Sequence, residues 1–264
     1  VEALAEIRAA WKSAPGDREM ALGVHRLLMF GQRFPEALEI KRQILSYWPP
    51  DRTIGFTLAQ DNLIAKGETA DLEQWLAAIP AEEQETPEIV DRRMEIAGET
   101  GNESELIDLI RRHGLTLWQI DSAGVLLFRG ESELLRQQLE KMKPALDQMR
   151  KDLPQAARTW TLLARYHALG GNRSEALAAI DRARQLLPES GDAWNGPNYT
   201  IDLVEALLWL GEKDAAIAEI TRLIRHPRGV HVWELERTVY WQPLRTDPRI
   251  QALIADPKNR GPLF

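Results

Sequence analysis

The sequence predicts an all-α chain, with helical hairpins stacked in series as an α-α superhelix and closed by a short C-terminal capping segment. Three observations lead there. Apolar residues recur at helical spacing through almost all of the 264 residues, and strand-like alternation is nearly absent. Glycine and proline punctuate the helical stretches, as in WTLLARYHALGGNRSEALAAIDRARQLLP. The arrangement of small and large residues around that punctuation then recurs along the chain, which is the mark of a repeat architecture.

The chain opens on Ala3, Ile7 and Ala10 with Pro15 behind them, the intervals of Ala176, Ile180, Ala183 and Pro188. The opening is therefore expected to be the second helix of a repeat whose first helix lies upstream. Pro15 and Pro49 stand 34 residues apart and enclose MALGVHRLLMF, a turn at 31–34, and a second helix with Ala37 at the small-residue position. Lys41 occupies a place suited to a large apolar residue, so Ile40 or Ile44 has to compensate. Stretches 54–65 and 72–79 pair across Gly67, with Leu58 and Ala59 on the packed face. The polar bridge PAEEQETPE follows. Next, 89–97 pairs with 106–112 across Gly101, and 117–128 pairs with an extended helix over 134–149 across Gly130.

The stretch from Trp160 carries the clearest unit. Trp160, Leu163, Ala164 and His167 share one helix face, and Gly170 and Gly171 end that helix. Ala176, Ile180 and Ala183 share a face of the next helix, which Pro188 stops. Small residues let two helices approach closely while larger ones fill the remaining gap. Neither helix can bury its apolar stripe alone, but stacked pairs can. After the polar insertion SGDAWNGPNY, 200–209 and 215–224 form another pair, with Gly211, Ala216 and Ile220 placed like Gly171, Ala176 and Ile180. In the tail, Trp241 and Leu244 are expected to cover this last pair. Asp247 and Pro248 start a short capping helix over 250–254.

These residues resemble the tetratricopeptide repeat, a helix-turn-helix unit of about 34 residues. Trp160, Leu163, Ala164, Gly171, Ala176, Ala183 and Pro188 match its motif, with His167 and Ile180 where larger or aromatic side chains are usual. The likeness covers residues 1–226. The segment WQPLRTDPRIQALIADP is similar to the end of repeat regions in bacterial signalling proteins, where such an array follows an adenylate cyclase, a winged-helix activator or a kinase. The resemblance implies a right-handed solenoid in two continuous portions, 1–152 and 153–264, and an effector domain upstream. It also implies a concave groove, lined by first helices, that holds a protein or peptide. By position, the groove face includes Glu19, Arg26, Phe30, Phe56, Gln60, Ile64, Ile120 and Phe128. Further along it includes Arg158, Thr161, Arg165, Asn198, Ile201, Glu205 and Trp209. Partner contact is expected from Arg26, Phe30, Gln60, Arg158, Thr161, Arg165, Asn198, Glu205 and Trp209. The Lys and Asn set of the family's carboxylate-clamp variants is absent, which argues against a chaperone C-terminal tail as ligand.

Composition narrows the function classes. The net charge of −7 disfavours wholesale binding to nucleic-acid phosphates. No cysteine is present, so disulfide and thiolate chemistry are excluded; a reducing, cytoplasmic setting is expected. No stretch is long and apolar enough to span a bilayer. GxSxG, HExxH and a phosphate-cradling glycine loop are all missing, so neither catalytic residues nor a cofactor are expected. His226, His231, Glu234 and Glu236 lack a standard ligand spacing, and no metal site is assigned to them. Trp75, Trp118, Trp160 and Trp209 read as core. Trp194, Trp233 and Trp241 are candidates for an interface or for capping. Two alternatives to a scaffold remain: a self-association module, and a helical-repeat carbohydrate-active enzyme with two facing buried carboxylates.

Overall fold

The computed structural model of the protein describes residues 2–14, 16–49, 51–192 and 195–263. Pro15 and Trp194 lie outside the described residues. Among those described are fifteen α-helices, five short 3-10 segments and no strand, so the chain is all-α. Its internal contacts divide it into two compact units, Val1–Gln84 with Asp256–Phe264, and Glu85–Ala255. This division falls after Gln84, and residues 152 and 153 both belong to the second unit.

The first unit holds α1 (Glu2–Ser13), α2 (Arg18–Phe30), α3 (Phe34–Tyr47), α4 (Arg52–Lys66) and α5 (Ala70–Ala77). Each packs against the next. Asp17 and Asp51 start α2 and α4 by accepting the Met20 and Ile54 backbone N–H groups, which satisfies donors a helix start leaves open. Leu4, Val24, Leu28, Met29 and Ala37 form one apolar cluster; Ala21, Ile44 and Leu58 form another. One sequence expectation is corrected here. Ala3 is exposed, because α1 meets α2 through the Leu4 and Ile7 ridge; Ala10 is half-buried beside it. Lys41 is itself buried, with its ammonium 2.8 Å from Asp71, while Ile44 supplies the missing apolar bulk. The chain's last stretch joins this unit where the Leu263 N–H donates to the Gly31 carbonyl at 2.9 Å.

The second unit begins with α6 (Pro87–Thr100), α7 (Glu103–His113), α8 (Ala123–Arg129) and α9 (Ser132–Asp152). It continues through α10 (Ala157–Leu169), α11 (Arg173–Leu186), α12 (Gly196–Trp209) and α13 (Lys213–Leu223) to α14 (Val232–Arg237) and α15 (Pro248–Ala255). Pairs α6/α7, α8/α9, α10/α11 and α12/α13 are hairpins, and α10 also packs on α8 and α12, first helix against first helix. Ala164, Ala168, Ala176, Ala179 and Ala183 are all buried around the α10–α11 contact, as close helix approach requires. Leu163, Ile180, Ala216 and Ile220 are buried as expected, as is Ala59 in the first unit. Trp160 is only half-buried at the edge of the core. Gly171 and Gly211, read from sequence as part of the repeat core, are exposed at φ 72° and 82°. They serve the turn, where a left-handed backbone favours glycine.

Two features depart from a plain row of hairpins. The expected helix over 117–128 is broken into a 3-10 segment, Leu117–Ser122, followed by α8. Gln119 leaves helical geometry at φ −100° and ψ 21°. Its side-chain oxygen accepts the Thr116 N–H at 2.7 Å, and its amide donates to Asp91 at 2.7 Å. The tail does more than cap. Trp233, Trp241, Leu244 and Ile250 are buried, and α15 packs on α13 and α14. Between α14 and α15 the chain touches α6, where the Val239 N–H donates to the Gly98 carbonyl at 2.9 Å. Tyr240 lies so close to Gly98 that a Cβ there would stand 2.3 Å from the phenol oxygen.

Candidate functional site

Helical spacing puts Arg158, Thr161 and Arg165 along one side of α10, and Asp202 and Glu205 one turn apart on α12. The α10–α12 contact brings them together. A terminal nitrogen of Arg165 lies 3.2 Å from Asp202 and 3.2 Å from Glu205. Arg165 is 8% exposed and Glu205 7%, so this ion pair is withdrawn from water. The Thr161 hydroxyl, fully buried, donates to the Arg158 carbonyl at 3.1 Å. Asp121, from the 3-10 segment, adds a third carboxylate near the same guanidinium.

Three carboxyls around one enclosed guanidinium are mutually repulsive and poorly solvated. Burial pushes Glu205 up to about 8, with Arg165 pulling back and Asp121 and Asp202 pushing further. Burial likewise raises Asp202 and Asp121, each partly offset by Arg165. Burial opposes the charge on Arg165 itself, but Asp202, Glu205 and Asp121 outweigh it and raise its pKa. The Arg165 Nε–H is buried and meets no acceptor.

Beside this cluster is a cavity of about 180 Å³. Asp91, Met94 and Glu95 of α6 form one wall, Trp118, Asp121 and Ser122 of the 3-10 segment another, and Tyr240 of the tail closes it. Burial, with Asp121, Glu99 and Glu205 nearby, raises Tyr240, so it stays a neutral phenol. Asp91 accepts from Gln119, and Glu95 pairs with Arg92 at 2.8 Å. Asp121 accepts the Ser122 N–H at 2.8 Å. Neither Asp91 nor Asp121 has a salt-bridge partner among the described residues. Trp118 is 55% exposed, with the Arg158 guanidinium 4.1 Å from its ring centre.

Of the residues expected at a partner surface, the structure gathers Arg158, Thr161, Arg165 and Glu205, but only Arg158 is exposed; Thr161, Arg165 and Glu205 are buried in the α10–α12 contact. Asn198 is half-buried elsewhere on α12. Trp209 is not available to a partner: it is 8% exposed and its indole fills the space above Gly124. Ile120 is also core, while Phe128 and Ile201 pack against that core. In the first unit Arg26 and Glu19 are exposed, Phe30 and Gln60 are half-buried, Ile64 packs on the local core, and Phe56 is buried edge-on to Trp75. Trp118, expected in the core, faces outward because the helix breaks there. Trp233 and Trp241 are core rather than interface.

Sequence reasoning does not reach Asp91, Asp121, Asp202 or Tyr240. Asp202 has a signal, one turn before Glu205, but Tyr240 has none because the fold-back of the tail brings it here. A second cavity of about 470 Å³ is lined by Arg184, Glu219 and Arg222, whose charges pair with each other. Among the described residues no His, Asp and Glu group is arranged to hold a metal, and Glu234 instead accepts the His231 N–H at the start of α14, at 2.5 Å. No described helix is long and apolar enough to cross a membrane. No family model matches the chain, and comparison with curated proteins finds no match.

Proposed function

We propose that this chain is a helical-repeat scaffold of tetratricopeptide type. In this reading it binds a protein or peptide on the first-helix face of its second unit and acts, in a cytoplasmic setting, as the regulatory part of a larger bacterial protein. One observation carries it: residues from α6, the 3-10 segment and the tail line a cavity flanked by a half-exposed tryptophan, and Asp121 of that lining lies beside the α10–α12 ion cluster. Ionic groups enclosed on such a face cost stability and are poor cement, so their concentration there favours recognition. First-helix packing of α8, α10 and α12 supports serial stacking.

The buried carboxyls also meet part of what a carbohydrate-active enzyme would need. Here Asp202 and Glu205 are each held by Arg165 at 3.2 Å, which favours the scaffold. Affinity purification from the source cell with the wild-type chain, and with Trp118→Ala and Arg158→Ala, tests the reading. One stoichiometric partner, lost with both variants, is expected. A partner retained by both variants refutes this face as its site. Light scattering across a concentration series separates self-association, which predicts growth in mass with concentration.

A further inference from the structure

We propose that Gln32 is a clasp that seats the strap 256–263 on the α2/α3 turn, and that this strap is a releasable latch on the first unit. The inference stands apart from the scaffold reading. It starts from a residue out of pattern. The turns α4/α5, α6/α7, α8/α9, α10/α11 and α12/α13 each pass through a left-handed glycine: Gly67, Gly101, Gly130, Gly171 and Gly211. The α2/α3 turn is closed by the same bonds as α10/α11. The Gln32 and Arg33 N–H groups donate to the Met29 and Leu28 carbonyls, as those of Gly171 and Asn172 donate to Ala168 and His167. Yet the left-handed position is held by Gln32, at φ 54°. A side chain there carries a backbone cost that glycine avoids, and such strain persists where a contact of that side chain offsets it.

The strap supplies that contact. It groups with the first unit, although α15 just before it belongs to the second. Gln32 is 3% exposed, and its amide end meets the Asn259 and Gly261 carbonyls at 3.3 and 3.2 Å. Both of these groups accept, so the atom facing them is the amide nitrogen, which has an N–H for each. The Leu263 N–H returns a bond to the Gly31 carbonyl at 2.9 Å. Within 256–263 only Asn259 is buried; Pro257, Lys258, Arg260 and Pro262 are exposed. Apolar burial therefore contributes little to the hold, which is concentrated in polar bonds at one turn. A segment held in this way can leave as a unit while α2 and α3 stay packed through Val24, Leu28 and Ala37.

Trypsin digestion of the full chain, followed by intact mass, tests this, because Lys258 and Arg260 put cleavage sites inside the strap. A seated strap should resist, since a protease cuts the opened form. Gln32→Gly suits the turn's backbone, as Gly171 does, and removes both side-chain bonds. Gln32→Glu keeps the reach and removes the donors. Each should speed the loss of residues beyond Lys258 or Arg260 by about tenfold, the worth of one to two net hydrogen bonds. Helical circular dichroism should stay unchanged, which separates release of the strap from unfolding of α2 and α3. Backbone order parameters at 258–263 should fall from about 0.85 to below about 0.6. The glycine variant decides the matter if the glutamate variant does not fold. Cutting no faster in the glycine variant than in the wild type would overturn the clasp. A wild-type strap cut as fast as a free peptide of the same sequence would overturn the latch as well.

Discussion

Glu205 sets a pH dependence that can be read from a single side chain. Burial lifts it from the ordinary 4.5 to about 8, so between those values the folded chain holds a proton that the unfolded chain has released. Stability from this group is therefore greatest below 4.5, falls as pH rises through the window, and is flat above 8. Glu205→Gln should flatten that fall, seen as closer urea midpoints at pH 5 and pH 8 than in the wild type. An unchanged difference would mean that Glu205 is ionised throughout. Glu234, raised by burial to about 7, adds a slope of the same sign. His231, lowered by burial to about 4, costs stability as pH falls from 6.5 towards 4. The comparison must therefore be variant against wild type. Arg165→Ala leaves Asp202 and Glu205 enclosed without their cation and should cost about 3–5 kcal/mol, measured by denaturant unfolding.

At the scale of elements, the return of the tail to α6 is the feature most open to test. Gly98 and Tyr240 approach so closely that a methyl group would collide with the phenol. Gly98→Ala should cost about 1–3 kcal/mol, as overpacking does. Combined with Tyr240→Ala it should cost much less, and the double-mutant cycle should show coupling above about 0.5 kcal/mol. Additive effects would mean that the tail does not rest on α6 in solution. The hairpins themselves were legible in sequence because Leu163, Ala164, Ala176, Ile180 and Ala183 combine helical spacing with alternating bulk. The break at 117–122 was not, since its apolar residues keep a helical period. It is Gln119, bonded to Thr116 and Asp91, that turns the backbone.

Across the whole molecule, burial is uneven. A single apolar cluster runs through the second unit, from Val90 to Ile250, whereas α1 buries only Leu4. Local opening follows the density of such burial. Native-state hydrogen exchange should therefore find the slowest amides in α10 to α13 and early exchange in α1. Equal protection of α1 and α10 would contradict this. In the scaffold reading the well-packed second unit is a rigid platform, suited to holding Trp118 and the carboxylates in place for a partner.

Periodicity and punctuation alone determined that the chain is helical and paired, and where most helices begin and end, because local backbone geometry imposes a period on whatever must be buried. They also placed Arg158, Thr161 and Arg165 along one side of a helix, while Glu205 was set on the same groove face only by the resemblance to the repeat. Only tertiary structure decided that Lys41 would be enclosed with Asp71, that Trp118 would turn out and Trp209 in, and that the tail would bring Tyr240 to Asp121. Those outcomes depend on residues far apart in the chain competing for the same volume and charge, which no local pattern encodes.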